Sequence, residues 1–389
     1  MAVNTMTKEQ AYQLITAIHK QATGQNAIQP TDLSSFISVA QATLMAGTEQ
    51  TLNAITQVLQ RTIIAVRPYD EKFKGLEYSA DTWGGIIRKI NFADTDPEAD
   101  ATHYTVDGQS VDQYVVKKPK VLETRYVGSD VYDAHYTIFK QQLKTAFTSE
   151  ENFGAFITGL LEHFSNERKQ WFENLKRSIL ANAIAGKYEI NDGSVIHLLT
   201  EYNADTGLSL TAQDVMLPAN YKPFMQWAYS RVAELTRLMS ERSELFQQKI
   251  TGFPIMRHTP LRDLRVYMDA KFLESMDARV LADTYHDNFL KYSDVEAVSY
   301  WQAIQNPREV KATPVYIDNT GAVKTGNAQA VENVIGVLFD RDAMGYNIYE
   351  DVLETSPYNA KGQYYNLYAH ADVQLQSDFT EKIVVLLLD

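Results

Sequence analysis

The chain has no cysteine among its 389 residues. Disulfide staples, thiolate metal sites and a thiol nucleophile are thereby excluded together. A chain of this length has enough surface to bury a sizeable core instead, and a reducing compartment suits it. No hydrophobic run approaches the ~18–20 residues of a membrane span. The segment from Met1 to Gln10 lacks the apolar core of a signal peptide. The expectation is a soluble chain. Cations are the minority charge: 36 Lys and Arg against 49 Asp and Glu give a net charge of −13. That is the wrong sign for a protein whose task is to grip nucleic acid. The eight histidines are scattered, with no pair at helical ligand spacing. Neither a G-x-G-x-x-G loop nor a G-x-S-x-G elbow occurs. The nearest phosphate-loop match runs from Gly321 to Gly326, but Asn327 and Ala328 replace the required Lys and Ser/Thr, so it reads as a surface hairpin. No catalytic residue, cofactor or metal is expected.

Hydrophobic content of 45% and charged content of 22% are ordinary for a globular protein, while 23 tyrosines are generous. Tyrosine joins an apolar face to a polar tip, which suits half-buried strands and wet interfaces. The length suggests two or three structural units. Residues 1–68 read as a helical arm. Thr7 to Gln10 can form a capping box ahead of Ala11, Leu14, Ile15 and Ile18, with Gly24 as the stop. A second helix is expected from Asp32 to Gly47, and a third from Thr48.

Residues 69–140 look extended. Trp83 to Phe92 is strand-like with a kink at Gly84-Gly85, Asp107-Gly108 signals a two-residue turn, and Val121 to Val127 and Val131 to Phe139 complete the β pattern. The acids Asp94, Asp96, Glu98 and Asp100 alternate around Pro97. This layout suggests a calcium loop only superficially, since Ala99 and Thr105 stand at the glycine and bidentate positions. Lys117, Lys118 and Lys120 form the densest basic run. Acids and bases at these positions are candidates for pairing between subunits, or for two solvated faces that keep an exposed hairpin from aggregating.

Residues 141–187 carry the clearest local signal. Thr148 caps with Glu151, and Phe153, Phe156, Ile157, Leu160, Leu161, Phe164, Trp171, Phe172, Leu175, Ile179, Leu180 and Ala183 keep i, i+3, i+4, i+7 spacing. Gly186 is the expected end of this rod, which would span roughly 55 Å. Residues 188–333 alternate helical and strand patterns, among them a helix from Phe224 to Phe246 and a strand from Leu264 to Asp269. Residues 334–389 open with the apolar run Val334 to Phe339. They continue through Tyr346, Tyr349, Tyr358, Tyr364, Tyr365 and Tyr368, and close in Ile383 to Leu388.

The order Gly336-Val-Leu-Phe-Asp-Arg-Asp-Ala343, then Pro357-Tyr-Asn-Ala-Lys-Gly-Gln-Tyr-Tyr-Asn366, then Asp378-Phe-Thr-Glu-Lys-Ile-Val-Val-Leu386 resembles major capsid proteins of short-tailed bacteriophages. The likeness is to the phi-29-like group. Leu143 to Phe147 and Arg262 to Leu273, continued by Val280 to Ala282, extend it in patches over about residues 123–389.

The resemblance implies an α+β, HK-97-like fold with five parts. These are an N-terminal arm over 1–68, an extended β-hairpin loop over 69–140, a peripheral domain with a long spine helix over 141–187, an axial domain over 188–333, and a return to the peripheral sheet over 334–389. It implies a structural protein that self-assembles through hexamers and pentamers into an icosahedral shell around phage double-stranded DNA, with scaffolding protein and portal as partners during assembly. Assembly in the host cytoplasm, contact with DNA only by weak non-specific means, and no membrane are implied with it. A negative wall suits such a container because it does not adhere to the polymer inside. An encapsulin-type compartment of the same fold, and a soluble enzyme with an unrecognised carboxylate site, are the competing readings.

Overall fold

The computed structural model describes residues 8–25, 29–45, 50–51, 54, 72–77, 86–95, 106–107, 109–110, 114, 116, 118–146 (117 excepted), 150–280 and 295–389. Helix α1 (Lys8–Thr23) buries Ala11, Leu14, Ile15 and Ile18 on one face. It ends at Gly24, which adopts φ +72° and donates its N–H to the Lys20 carbonyl at 2.9 Å. A left-handed residue there closes the last turn, and glycine takes that conformation without strain. In α2 (Leu33–Met45), Asp32 caps the first turn by accepting the Ser35 N–H at 2.7 Å, and the Ser35 hydroxyl, followed by that N–H, lowers the pKa of Asp32. Thr7, the helix expected from Thr48 (apart from three of its residues), the Gly-Gly kink, the glycine of the Asp107-Gly108 turn and Thr148 lie outside the described residues.

Strands β1 (Ile86–Phe92) and β2 (Val121–Val127) pair antiparallel as a two-stranded sheet, from Ile86 opposite Val127 to Phe92 opposite Val121. Strand β3 (Asp130–Phe139) follows at once but leaves this pair. A short helix α3 (Lys140–Ala146) leads to the long helix α4 (Glu150–Ile190), whose 41 residues span about 60 Å.

Gly186 does not end that helix. It sits inside it because Phe379 presses against its backbone: a Cβ at this position would stand 2.5 Å from the Phe379 ring. The stop comes one turn later. Asn191 takes φ +50° and donates to the Lys187 carbonyl at 3.0 Å, Asp192 accepts from the Ser194 N–H, and Gly193 is also left-handed.

Beyond α4 come β4 (Val195–His197), α5 (Leu198–Thr206), α6 (Pro218–Ser240), β5 (Leu264–Asp269), α7 (Ala270–Val280) and β6 (Val295–Val298). The short strands β7 (Val310–Ala312), β8 (Val315–Ile317), β9 (Val323–Thr325) and β10 (Gln329–Val331) make two small ladders. The ladder of β8 and β9 is the surface hairpin expected around Gly321. Last are β11 (Val334–Asp340), β12 (Met344–Thr355), β13 (Tyr364–Ser377) and β14 (Ile383–Leu387).

The stretch 334–389 does not return as one piece to the peripheral sheet. Strands β11 and β14 form the middle of a five-stranded sheet ordered β4-β14-β11-β5-β6, and only β12 and β13 join β3, in the order β12-β13-β3. The reason lies in their composition. A continuous apolar run is stable only in a strand covered on both faces. Val337, Phe339, Ile383, Val385 and Leu387 pack toward α4, while Leu338, Val384 and Leu386 pack toward α5 and α6. Strand β13 alternates, burying Tyr365, Leu367, Ala371 and Val373, while its partner β12 is buried over Met344 to Asn347 and partly exposed beyond. By the same pairing β3 belongs to this sheet and not to the arm: Asp130 to Phe139 run opposite Val373 to Tyr364.

The stripe of α4 packs on both sheets, as its periodicity implies. Phe172 is buried, edge-on to Tyr346 at 5.8 Å, in one cluster with Ala371, Val373 and Val385. Trp171 meets Tyr132 edge-on at 4.5 Å. Helices α1 and α2 cover Ile138 and Tyr365 at the far end of the three-stranded sheet. Of the six tyrosines in this region, Tyr346 and Tyr365 are buried and the other four are half-buried.

Candidate functional site

The two-stranded arm presents two faces of different character. Strand alternation turns Ile87, Lys89, Asn91, Leu122, Thr124 and Tyr126 toward the body of the molecule. The opposite face carries Arg88, Glu123 and Arg125 together with four apolar residues, Ile90, Phe92, Val121 and Val127, each more than half exposed. The solvent face is therefore at least as apolar as the covered one. A sheet face of that kind ordinarily marks a contact surface.

Its centre is held in register by charge. Arg88 and Arg125 stand directly opposite each other, an arrangement that repels. Glu123 resolves it by accepting from Arg88 Nε at 2.6 Å and Arg125 Nε at 2.7 Å. The hydrogen bonds from Arg125 and then Arg88 pull the Glu123 pKa down to about 2. The cluster keeps one uncompensated positive charge on an apolar surface.

On the inner face, Lys89 Nζ donates to Asp378 Oδ2 at 2.7 Å and Glu381 Oε1 at 2.5 Å. Both carboxylates are buried in the connection between β13 and β14. Arg257 Nη1 stands 3.3 Å from Glu381, and Arg257 Nη2 donates to Asn91 Oδ1 at 2.8 Å. Two cations thus face two anions. Burial pushes the Asp378 pKa up, but Lys89 and the Thr380 hydroxyl and N–H outweigh it, and the net shift is downward. For Glu381 burial wins over Lys89 and Arg257, and its pKa is raised. Burial of Lys89 is overcome by the two carboxylates, so its pKa is raised. Breaking such a buried set leaves an uncompensated charge, so it pins the arm to the body.

The residues singled out from sequence fall into two groups. Asp94, Lys118 and Lys120 are described; Asp96, Glu98, Asp100 and Lys117 lie outside the described residues. Asp94 accepts from the Arg242 guanidinium and, at 2.6 Å, from the Met256 N–H. Lys120 Nζ donates to the Gly252 carbonyl at 3.1 Å. Within the chain, Asp94 and Lys120 therefore have other partners than each other. Both fasten the arm to the loop that follows α6 in the same chain. Lys118 is exposed and has no partner among the described residues.

Sequence reasoning missed Lys89, Arg257, Asp378 and Glu381, which are separated by up to 292 positions. The one local signal was three charged residues, Asp378, Glu381 and Lys382, set between the alternating strand β13 and the apolar run of β14. Among the described residues no group of three or more His, Asp or Glu could hold a metal ion. No helix among them is long and apolar enough to cross a membrane. What the arrangement offers is a fastened, charged and apolar surface.

Comparison with known proteins fits this picture. The model of the family described as Phi29-like phage major capsid protein matches residues 15–386. The solved capsid structure of Staphylococcus phage Andhra superposes with a TM-score of 0.53 at 12% identity, covering 83% of this chain and 85% of that one. A structure described as head fiber and inner core protein gp22 of native bacteriophage P68 gives 0.55 at 13% identity, covering 82% of this chain and 85% of that one. Among curated proteins none matches the chain. The layout of long helix, two sheets and arm is the HK-97-like α+β fold.

Proposed function

The chain belongs to the Phi29-like phage major capsid protein family, and from that premise we propose how its copies meet. It is a structural capsid shell protein and not an enzyme, and its place is the virion capsid. In our reading the copies close into an icosahedral shell of hexamers and pentamers around phage double-stranded DNA, and each arm lies on a neighbouring copy. Residues 86–127 form that arm, 195–340 carry the axial part, and α4 with the sheet of β3, β12 and β13 the peripheral part. Scaffolding protein and portal assist, and assembly takes place in the host cytoplasm.

The observation that carries this reading is the arm's solvent face. Ile90, Phe92, Val121 and Val127 are exposed on a sheet whose other face is already occupied. A neighbour that covers them removes apolar area from water, and repetition of modest contacts makes a durable closed shell. The net charge of −13 makes copies repel at low ionic strength, with a screening length of ~10 Å at 0.1 M salt. Added salt should promote assembly until specific ion pairs weaken. Light scattering across a salt series, followed by negative-stain microscopy, tests this. Closed shells are expected. A protein that stays monomeric at every salt and concentration, even with its scaffold supplied, overturns the reading.

A further inference from the structure

A groove of about 190 Å³ runs between α4 and the three-stranded sheet. Four aromatic rings line it: Tyr132 and Trp171 meet edge-on at 4.5 Å, and Tyr136 and Phe164 meet edge-on at 5.7 Å. Three carboxylates, Asp133, Glu167 and Asp351, stand at the same groove with one cation, Arg168. Arg168 pairs with Asp351 and lies over the Phe172 ring at 5.3 Å, and Glu167 accepts from the Tyr136 hydroxyl. The groove therefore combines an apolar aromatic interior with a net negative mouth.

That chemistry fits a long side chain ending in a cation. Aromatic faces attract an ammonium group, a methylene stem fills the apolar interior, and carboxylates receive the head. The protein already uses this contact internally: Lys176 lies over Tyr346 at 5.1 Å, Lys140 over Tyr358 at 5.6 Å and Lys324 over Tyr316 at 5.6 Å.

We infer that the groove receives Lys118 from the arm of a second copy of this chain. Lys118 sits in the densest basic run, beside Pro119, is exposed, and has no partner among the described residues. It does not line the groove of its own chain. The complementarity is of charge and of shape together: an exposed cation, unpartnered among the described residues, beside the arm's second strand, and an aromatic slot with surplus carboxylate. The inference rests on the reading that the arm lies on a neighbour, and it names where one of the arm's side chains goes.

The test uses shells assembled from a one-to-one mixture of ordinary and heavy-nitrogen protein. A water-soluble carbodiimide condenses an ammonium with a carboxylate in direct contact; an amide forms, and the reagent takes up the lost water as its urea. Mass spectrometry should find Lys118 joined to Asp133, Glu167 or Asp351 in peptides of mixed label, and should not find them in dissociated subunits. Shells in which Lys118 is joined only to other carboxylates, or in which another amine occupies the groove, overturn the inference and leave the shell reading standing. No shells at all sinks the shell reading itself. As a second measurement, Lys118→Met should raise the critical concentration for assembly about two- to thirty-fold, and Lys118→Arg should recover part of the loss. Lys118 is exposed, so neither variant disturbs the fold of the subunit. A Lys118→Met protein that assembles like the unaltered chain also overturns the inference.

Discussion

Replacing Gly186 by alanine sets two effects of opposite sign against each other. Inside a helix alanine is favoured over glycine by about 0.8–1.0 kcal/mol. Gly186 is interior to α4 and has ordinary helical backbone, so that gain applies in full. Against it stands Phe379, whose Cε1 and Cζ lie 2.5 Å from where the new Cβ would be. The ring cannot withdraw easily. Phe379 is fully buried, its ring packs 5.9 Å from that of Tyr316, and its carbonyl accepts the Gln248 N–H at 2.7 Å. Overpacking of a well-filled core costs about 1–3 kcal/mol, with the upper half expected where the neighbour is pinned. Gly186→Ala should therefore destabilise the subunit by about 1–2 kcal/mol. In a Phe379→Ala background, itself lower by about 3–5 kcal/mol, the obstruction is gone and the same substitution should stabilise by up to ~1 kcal/mol. Urea unfolding of dissociated subunits, followed by tryptophan fluorescence, reads both effects as midpoint shifts. With m of about 3 kcal/mol/M the first amounts to roughly 0.3–0.7 M. The same sign in both backgrounds would refute the reasoning, as would a raised midpoint for Gly186→Ala alone.

Phe172→Ala, at the crossing of α4 with both sheets, should lower subunit stability by about 3–5 kcal/mol, and an unchanged thermal profile would contradict its placement. Lys89→Met leaves Glu381 with Arg257 and Asp378 with only the more distant Lys187, a loss of about 3–5 kcal/mol moderated by solvent at Lys89, whose side chain is 21% exposed. Hydrogen exchange in β1 and β2 should quicken before the rest of the subunit changes, and uniform protection would argue against the fastening. Burial, partly offset by Glu241 and Asp340, lowers the pKa of Lys382 from 10.5 to about 8. Its folded value lies below its unfolded one, so its contribution to stability is least favourable below pH 8 and improves as pH rises toward 10.5. The stability of the unaltered protein relative to Lys382→Met should climb through that window, and a flat difference between pH 7 and 10 would dispose of the shift.

Elements announced by long periodic patterns were legible in the sequence. The stripe from Phe153 to Ala183 has no stable home except a helix packed on something large, and α4 packs on both sheets. The stop at Gly186 was misread because a glycine near a helix end usually marks a left-handed cap. Here its missing side chain serves a close approach by Phe379, a residue 193 positions away that no local pattern announces. The partition of residues 334–389 between two sheets was written in the difference between the unbroken runs of β11 and β14 and the alternation of β13. A single label over the whole stretch concealed it. At the candidate site, charge marked Asp94 and Lys120 as candidates for pairing between subunits, but charge alone carries no information about the loop of the same chain that each of them meets. Lys89 looked like one more strand residue. Its role follows from meeting two acids nearly 300 positions away, a juxtaposition only the fold creates.

The five-stranded sheet imposes an order on events in time. Strand β14 lies between β4 and β11, so the partner these two strands share is made after both of them. At a synthesis rate of about 5–20 residues per second, β4 waits on the order of 10–40 s for it. Until then α5 and α6 on one side, and the middle of α4 on the other, lack the surface that completes their packing. The arm waits as well, because Asp378 and Glu381, which hold Lys89, are translated only just ahead of β14. A nascent chain therefore has no finished body on which to fasten its arm.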